Sequence, residues 1–228
     1  MLFFDPTWII ILPALILSLW AQANVNSTFA RFSRVSNRRS MTGYDAARRI
    51  LDMNGLHNVA IEHIAGNLTD HYDPRSNTVR LSDSVYGSSS VAAIGVAAHE
   101  VGHAVQHAVG YTPIKVRNAI VPVVNLCSQL AMPLFILGLI FSSSFFMLTD
   151  VGIILFSAAV LFHIVTLPVE INASRRALST LESSYMLEGE EISGAKKVLS
   201  AAAMTYVASA AMALLQLLRL IAIRDRRR

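Results

Sequence analysis

Four apolar blocks, at roughly 7–23, 119–141, 151–169 and 200–223, dominate this 228-residue chain and leave it few folds to adopt. About 20 apolar residues in helical form cross the hydrocarbon core of a bilayer, and only a helix satisfies every backbone polar group within such a segment. Hydrophobic residues make up 54% of the chain and charged residues 15%, gathered in blocks rather than spread evenly, and the mean hydropathy is +0.49. The expected fold class is a mainly α membrane protein with about four membrane helices. What remains is too short for two globular domains with separate cores, so a single functional unit is expected.

The first block ends in Ala21, Gln22 and Ala23, which resembles a signal-peptidase site, yet its start carries Asp5 and no Lys or Arg. A retained N-terminal anchor over 1–23 is the expectation. The net charge of +4 comes from clusters beside the apolar blocks: Arg31, Arg34, Arg38 and Arg39 after the first, Arg175 and Arg176 after the third, and the final RDRRR. Clusters in that position face anionic lipid and set orientation, so the bilayer is the expected partner and nucleic acid is not. The positive-inside rule places 24–118 and 170–199 in the cytoplasm and the FSSSFFMLTD loop at 141–150 outside; the tail then falls outside, against the rule. The lone Cys127 excludes an intrachain disulfide and a cysteine zinc site.

Within the polar region, MTGYDAARRILDMNGL reads as a short helix with Thr42 as N-cap, Asp45 in the capping-box place and Gly55 as the stop. NVAIEHI, NLTDHY and NTVRLS follow as three short strands joined at AGN and DPRS, which predicts a small antiparallel β meander. Ser88 to Ser90 can then cap a helix running from about Val91 to Val109.

That helix carries SVAAIGVAAHEVGHAVQHAVG, in which His99 and His103 lie four residues apart and so share one face. Two imidazoles one turn apart grip a single ion. Glu100 is rotated aside from that row, too far round to be a ligand but able to reach a water bound to the ion, as in HExxH metallopeptidases. Imidazole with carboxylate and one open position selects Zn2+. The small neighbours Ala97, Ala98, Gly102 and Ala104 let another helix approach. His107 sits about 6 Å further along the axis, a place for packing rather than ligation. Gln106 and Val109 exclude the HExxHxxGxxH pattern, so the third ligand comes from elsewhere. Glu170 in LPVEINASRRAL is the best candidate, with Ala173, Ser174 and Ala177 on its helical face; His163 and Asp150 are weaker ones. Arg176, Tyr206 and His71 are polar candidates for an oxyanion donor, and an edge at TVRLS for pairing with an extended substrate.

DHYDPRSNTVRLS, VAAHEVGHAVQ, LPVEINASRRAL and GAKKVLSAAAMTYVA, in this order along the chain, resemble the YugP-like neutral zinc metallopeptidases of bacterial membranes, over nearly the whole chain. The resemblance implies a zinc-dependent, multi-pass, gluzincin-type membrane metalloendopeptidase with one Zn2+ per chain. His99, His103 and Glu170 would be the ligands and Glu100 the catalytic base. It departs from the related HtpX pattern at Ser174, where an acidic residue is usual; Ser174 can orient a ligand histidine only as a neutral partner. The implied division is an anchor at 1–23, a zincin-like polar domain with the HExxH helix at 24–118, two transmembrane helices at 119–169, and the third-ligand helix, connecting loop and C-terminal hydrophobic helix at 170–228. A polypeptide, with membrane proteins among the candidates, is the expected substrate, and the positive-inside rule puts the site on the cytoplasmic side of the cell membrane. Two rivals make different predictions: a site-2-type intramembrane protease, which takes an aspartate such as Asp150 as third ligand, and a non-enzymatic zinc-stabilised membrane scaffold.

Overall fold

A computed structural model of the chain describes residues 6–141 and 145–227. Among them six named helices and three strands run in the order α1 (Trp8–Phe32), α2 (Gly43–Met53), β1 (Ala60–Ile64), β2 (His71–Asp73), β3 (Thr78–Ser82), α3 (Val91–Ala108), α4 (Thr112–Ile140), α5 (Met147–Ser183) and α6 (Glu190–Asp225). The mainly helical membrane-type fold with a small sheet is as expected. The helices α1, α4, α5 and α6 are each long and apolar enough to cross a membrane. They outrun the apolar blocks: α5 continues through Glu170 to Ser183, because the polar LPVEINASRRAL turns keep good helix formers after the apolar stretch ends. Asp5, Arg228 and part of the 141–150 loop, residues 142–144, lie outside the described residues.

The chain forms two compact units. The first comprises residues 1–21, 116–167 and 205–228 and is built of helices and the turns that flank them in its described part. Its helices approach closely at glycine: a Cβ on Gly152 would stand 2.7 Å from the Phe135 amide nitrogen and 2.8 Å from the Ala131 carbonyl. Small residues at such crossings are what let backbones pack where lipid supplies no hydrophobic drive. The large side chains turn outward, Ile9, Ile16, Leu126, Ile154 and Leu161 among them, as a lipid-facing surface requires. Arg219 stacks on Trp8 at 3.8 Å, and Arg224 pairs with Asp150 at 2.6 Å.

The second unit comprises residues 22–115 and 168–204. The capping box forms as the sequence predicts, with the Asp45 amide donating to Thr42 Oγ1 at 3.1 Å and the Thr42 amide donating back to Asp45 at 3.0 Å. The Thr42 hydroxyl, donating to Asp45 Oδ2 at 2.6 Å, and then the Thr42 amide hold the Asp45 carboxyl below its ordinary pKa. The helix ends at Met53, with Gly55 at φ +70. Its apolar side, Ala46, Ala47, Ile50 and Leu51, packs into one core with Val79 and Leu81 of β3 and with Ile94, Ala97, Ala98 and Val101 of α3.

The sheet corrects the antiparallel meander. Its order is β1-β3-β2, with β1 parallel to β3 and β2 antiparallel to it. The turn residues at AGN do not reverse the chain into a neighbouring strand; residues 65–70 pass the end of β3 and are tied there by carboxylates. Gly66 N–H donates to Asp83 Oδ2 at 2.8 Å, Asp83 N–H returns to the Gly66 carbonyl at 3.1 Å, and Asp70 accepts from the Ser82 amide and hydroxyl at 2.7 and 2.9 Å. Burial pushes the Asp70 carboxyl up. TVRLS is therefore the central, buried strand and has no free edge; the edges are β1 and β2, and β2 packs against α3.

Candidate metal centre

Helix α3 begins where the serine cluster predicts. Ser90 is the N-cap, its hydroxyl accepting from Ala93 N–H at 3.1 Å, and the helix runs from Val91 to Ala108. The 3.6-residue period then stacks His99 and His103, whose rings meet edge to face with centroids 4.8 Å apart. Helix α5 crosses this face at Gly102. A Cβ there would lie 2.9 Å from the Ala173 carbonyl oxygen, so only glycine admits the approach.

The approach delivers Glu170, one turn before Ala173, to the two imidazoles. Its Oε2 stands 3.3 Å from His99 Nε2 and 3.4 Å from His103 Nε2, and the three groups each offer one ligand atom within 4.8 Å of the others. This is a group able to hold a metal ion. All three side chains are largely buried, at 12%, 12% and 4% exposure.

The opposite ring nitrogens are engaged. Ser174 Oγ lies 3.1 Å from His99 Nδ1, the neutral partner that the sequence allows. His103 Nδ1 lies 3.1 Å from Gln106 Oε1. Since amide oxygen only accepts, Nδ1 carries the proton in this contact and a neutral His103 has Nε2 bare toward Glu170. Gln106, fully buried, sends its Nε2–H groups to the Val169 carbonyl at 2.8 Å and to Asn172 Oδ1 at 3.0 Å, and Arg176 Nε donates to the same Asn172 oxygen at 2.8 Å. A polar ladder thus joins α3 to α5 directly behind the histidine pair. Burial lowers the affinity of His103 for a proton, but the Glu170 carboxylate, the Glu100 charge and Gln106 outweigh it, and its pKa is raised. The donor set fits a zinc ion: two imidazole nitrogens and one carboxylate oxygen, each imidazole oriented by a partner on its far nitrogen.

Glu100 is 9% exposed and makes no hydrogen bond or ion pair with any described residue, so its carboxylate is uncommitted. The other expected residues lie elsewhere. Arg176 joins the ladder through Asn172 rather than the ligand group. His71 is exposed on β2, with Nδ1–H donating to the Thr69 carbonyl at 2.9 Å. His107 lies 3.5 Å from the Tyr72 hydroxyl. Tyr206, His163 and Asp150 belong to the other compact unit, where Asp150 is paired with Arg224. Gln106 and Asn172 were not foreseen as site residues. The available signal was a polar side chain three residues after His103, on the buried side of an otherwise apolar helix.

Comparison with known proteins agrees with this chemistry. Residues 7–225 match the family described as "Putative neutral zinc metallopeptidase". The chain is 50% identical over 210 residues to a protein of Bacillus subtilis (strain 168) named "Putative membrane protease YugP", covering 92% of each. No solved structure matches it. A family match across almost the whole chain, with a half-identical relative of the same extent, leaves one assignment: the chain belongs to the neutral zinc metallopeptidase family.

Proposed function

We propose that this protein is a membrane metalloendopeptidase that hydrolyses peptide bonds, with one zinc ion per chain held by His99, His103 and Glu170 and with Glu100 as general base. The observation that carries the reading is the convergence of two Nε2 atoms from α3 and one carboxylate oxygen from α5, His103 and Glu170 being 67 residues apart in the chain, beside an uncommitted glutamate. Bound zinc supplies a Lewis acid for the scissile carbonyl and lowers the pKa of a water toward neutrality. Glu100 takes the proton from that water and delivers it to the nitrogen of the departing amine. Ser174 and Gln106 hold the imidazoles with Nε2 forward, and Gly102 keeps Glu170 within reach. The β2 edge beside α3 offers main-chain groups to an extended polypeptide, and the basic flanks Arg31 to Arg39 and Arg175 to Arg176 support a site on the cytoplasmic side.

The test compares two variants by metal analysis and by cleavage of an unfolded polypeptide. Glu100→Gln is expected to keep its zinc and lose cleavage; Glu170→Ala is expected to lose both. Cleavage undiminished in Glu100→Gln removes Glu100 from its role. Zinc retained in Glu170→Ala removes the third ligand. Zinc bound but no cleavage by the wild-type chain, with Glu100→Gln indistinguishable from it, favours the scaffold.

A further inference from the structure

Away from the metal centre, the C-terminal half of α1 and the first turns of α6 enclose a groove of about 530 Å³. Arg31, Lys196 and Lys197 line it, around the ring of Phe32, with the Arg31 guanidinium carbon 5.4 Å and Lys197 Nζ 6.0 Å from the ring centroid. None of the three cations pairs with an acid among the described residues. The nearest acid in the sequence that is engaged, Glu191, accepts instead from the Arg38 amide at 2.9 Å. Ser193 and Ser200 add two hydroxyls that bond to no described residue. Three like charges gathered in one concavity repel one another unless an anion joins them.

Several donors and about three positive charges around one volume match the oxygens of a phosphate group better than a single carboxylate. The flanks indicate what carries it. On α1, Trp20 lies one turn before Asn24 at the groove's rim, with Leu19 beside it, and both are exposed; on α6 the groove ends at Met204 and exposed Val207 follows within a turn. Both helices are long and apolar enough to span a membrane. A polar, cationic groove that gives way along both of its helices to exposed apolar side chains, with a tryptophan at the change, is built for an amphiphile at the interface. We propose that this groove binds a phosphate group, with the headgroup of an anionic phospholipid as its carrier.

The experiment uses the full chain in nanodiscs of phosphatidylcholine with phosphatidylglycerol, followed by native mass spectrometry of retained lipid. Wild type is expected to retain phosphatidylglycerol over phosphatidylcholine. Arg31→Gln and Lys196→Gln/Lys197→Gln are expected to lower that retention roughly fivefold for each charge removed, while a control with two other exposed cations neutralised, Arg49→Gln/Arg75→Gln, is expected to leave it unchanged. A second arm adds inorganic phosphate. Retention that phosphate does not displace supports the headgroup; displacement of the lipid by phosphate, lost in the groove variants, supports the same phosphate site with a free anion as its occupant. Equal retention of the two lipids, or equal losses in the groove and control variants, overturns the proposal.

Discussion

Gly102→Ala is the most telling single change, because one methyl group tests whether the crossing of α3 and α5 sets the metal centre. The added Cβ would stand 2.9 Å from the Ala173 carbonyl oxygen, 3.3 Å from its Cα and 3.4 Å from its carbonyl carbon, all of them backbone atoms that no side-chain rotation can move. Restoring ordinary contact at the oxygen requires a displacement of about 0.5 Å between the helices. Glu170 lies one turn from that point, and metal–ligand distances tolerate only about 0.2 Å. Zinc affinity is therefore expected to fall on the order of tenfold to a hundredfold, the range for disturbing what holds a ligand in place. The folding balance is milder: overpacking costs about 1–3 kcal/mol, against about 1 kcal/mol gained from helix propensity. Gly95→Ala supplies the control within the same helix, since its Cβ meets Ala195 at 3.4 Å and gains the propensity at little steric cost. The assay is chelator competition for zinc, read with the melting temperature of the apoprotein in detergent. If Gly102→Ala binds zinc as tightly as Gly95→Ala, the helix crossing does not set the site and the reasoning fails.

Two further changes probe the surroundings. Gln106→Leu leaves the His103 Nδ1–H and the far side of the Val169 carbonyl without their buried partner, which costs about 1–3 kcal/mol; zinc affinity should drop in parallel, as it should on removing the smaller contact in Ser174→Ala, and unaltered affinity in both would show that the imidazoles orient themselves. At the β2–β3 turn, the Arg75 amide, then Arg80 and Ser76, hold the Asp73 carboxyl at about 2. Its folded pKa lies below the unfolded value of about 3.9, so its contribution is complete above that value and fades as the pH falls toward 2. Asp73→Asn should flatten this part of the acid unfolding curve, and an acid limb identical to wild type would refute the assignment.

What the sequence disclosed depended on the range over which each signal acts. The Thr42 and Ser90 caps and the His99–His103 row are set within four residues of chain, and each stands where local spacing puts it. Glu170 was legible for a different reason. A carboxylate at the end of an apolar block, followed by Ala173, Ser174 and Ala177, has few explanations other than a partner helix pressed against it, and Gly102 is the matching half of that contact. The sheet order was not legible, because Asp70 and Asp83 look like ordinary turn residues until Asp70 is seen to bind the end of β3 from 12 residues away and Asp83, next to that end, to hold Gly66 from 17. The Gln106 ladder was hidden in the same way: its partners at Val169 and Asn172 are 63 and 66 residues off, and nothing near Gln106 in sequence distinguishes a solvated amide from a buried one.

The same separation explains how a neutral serine suffices at 174. An acidic residue on His99 Nδ1 would raise the basicity of that imidazole, but it would also place a second negative charge one turn from Glu170 within a buried face. With Glu170 and Glu100 already contributing negative charge beside His103, a further carboxylate would need the ion's full charge to offset it, and the metal-free protein would carry it uncompensated. Serine fixes the direction of the ring through one hydrogen bond and adds no charge, while the amide of Gln106 does the same for His103. Both imidazoles are thus oriented by neutral groups, and under the proposed function the carboxylates are left to serve as ligand and base.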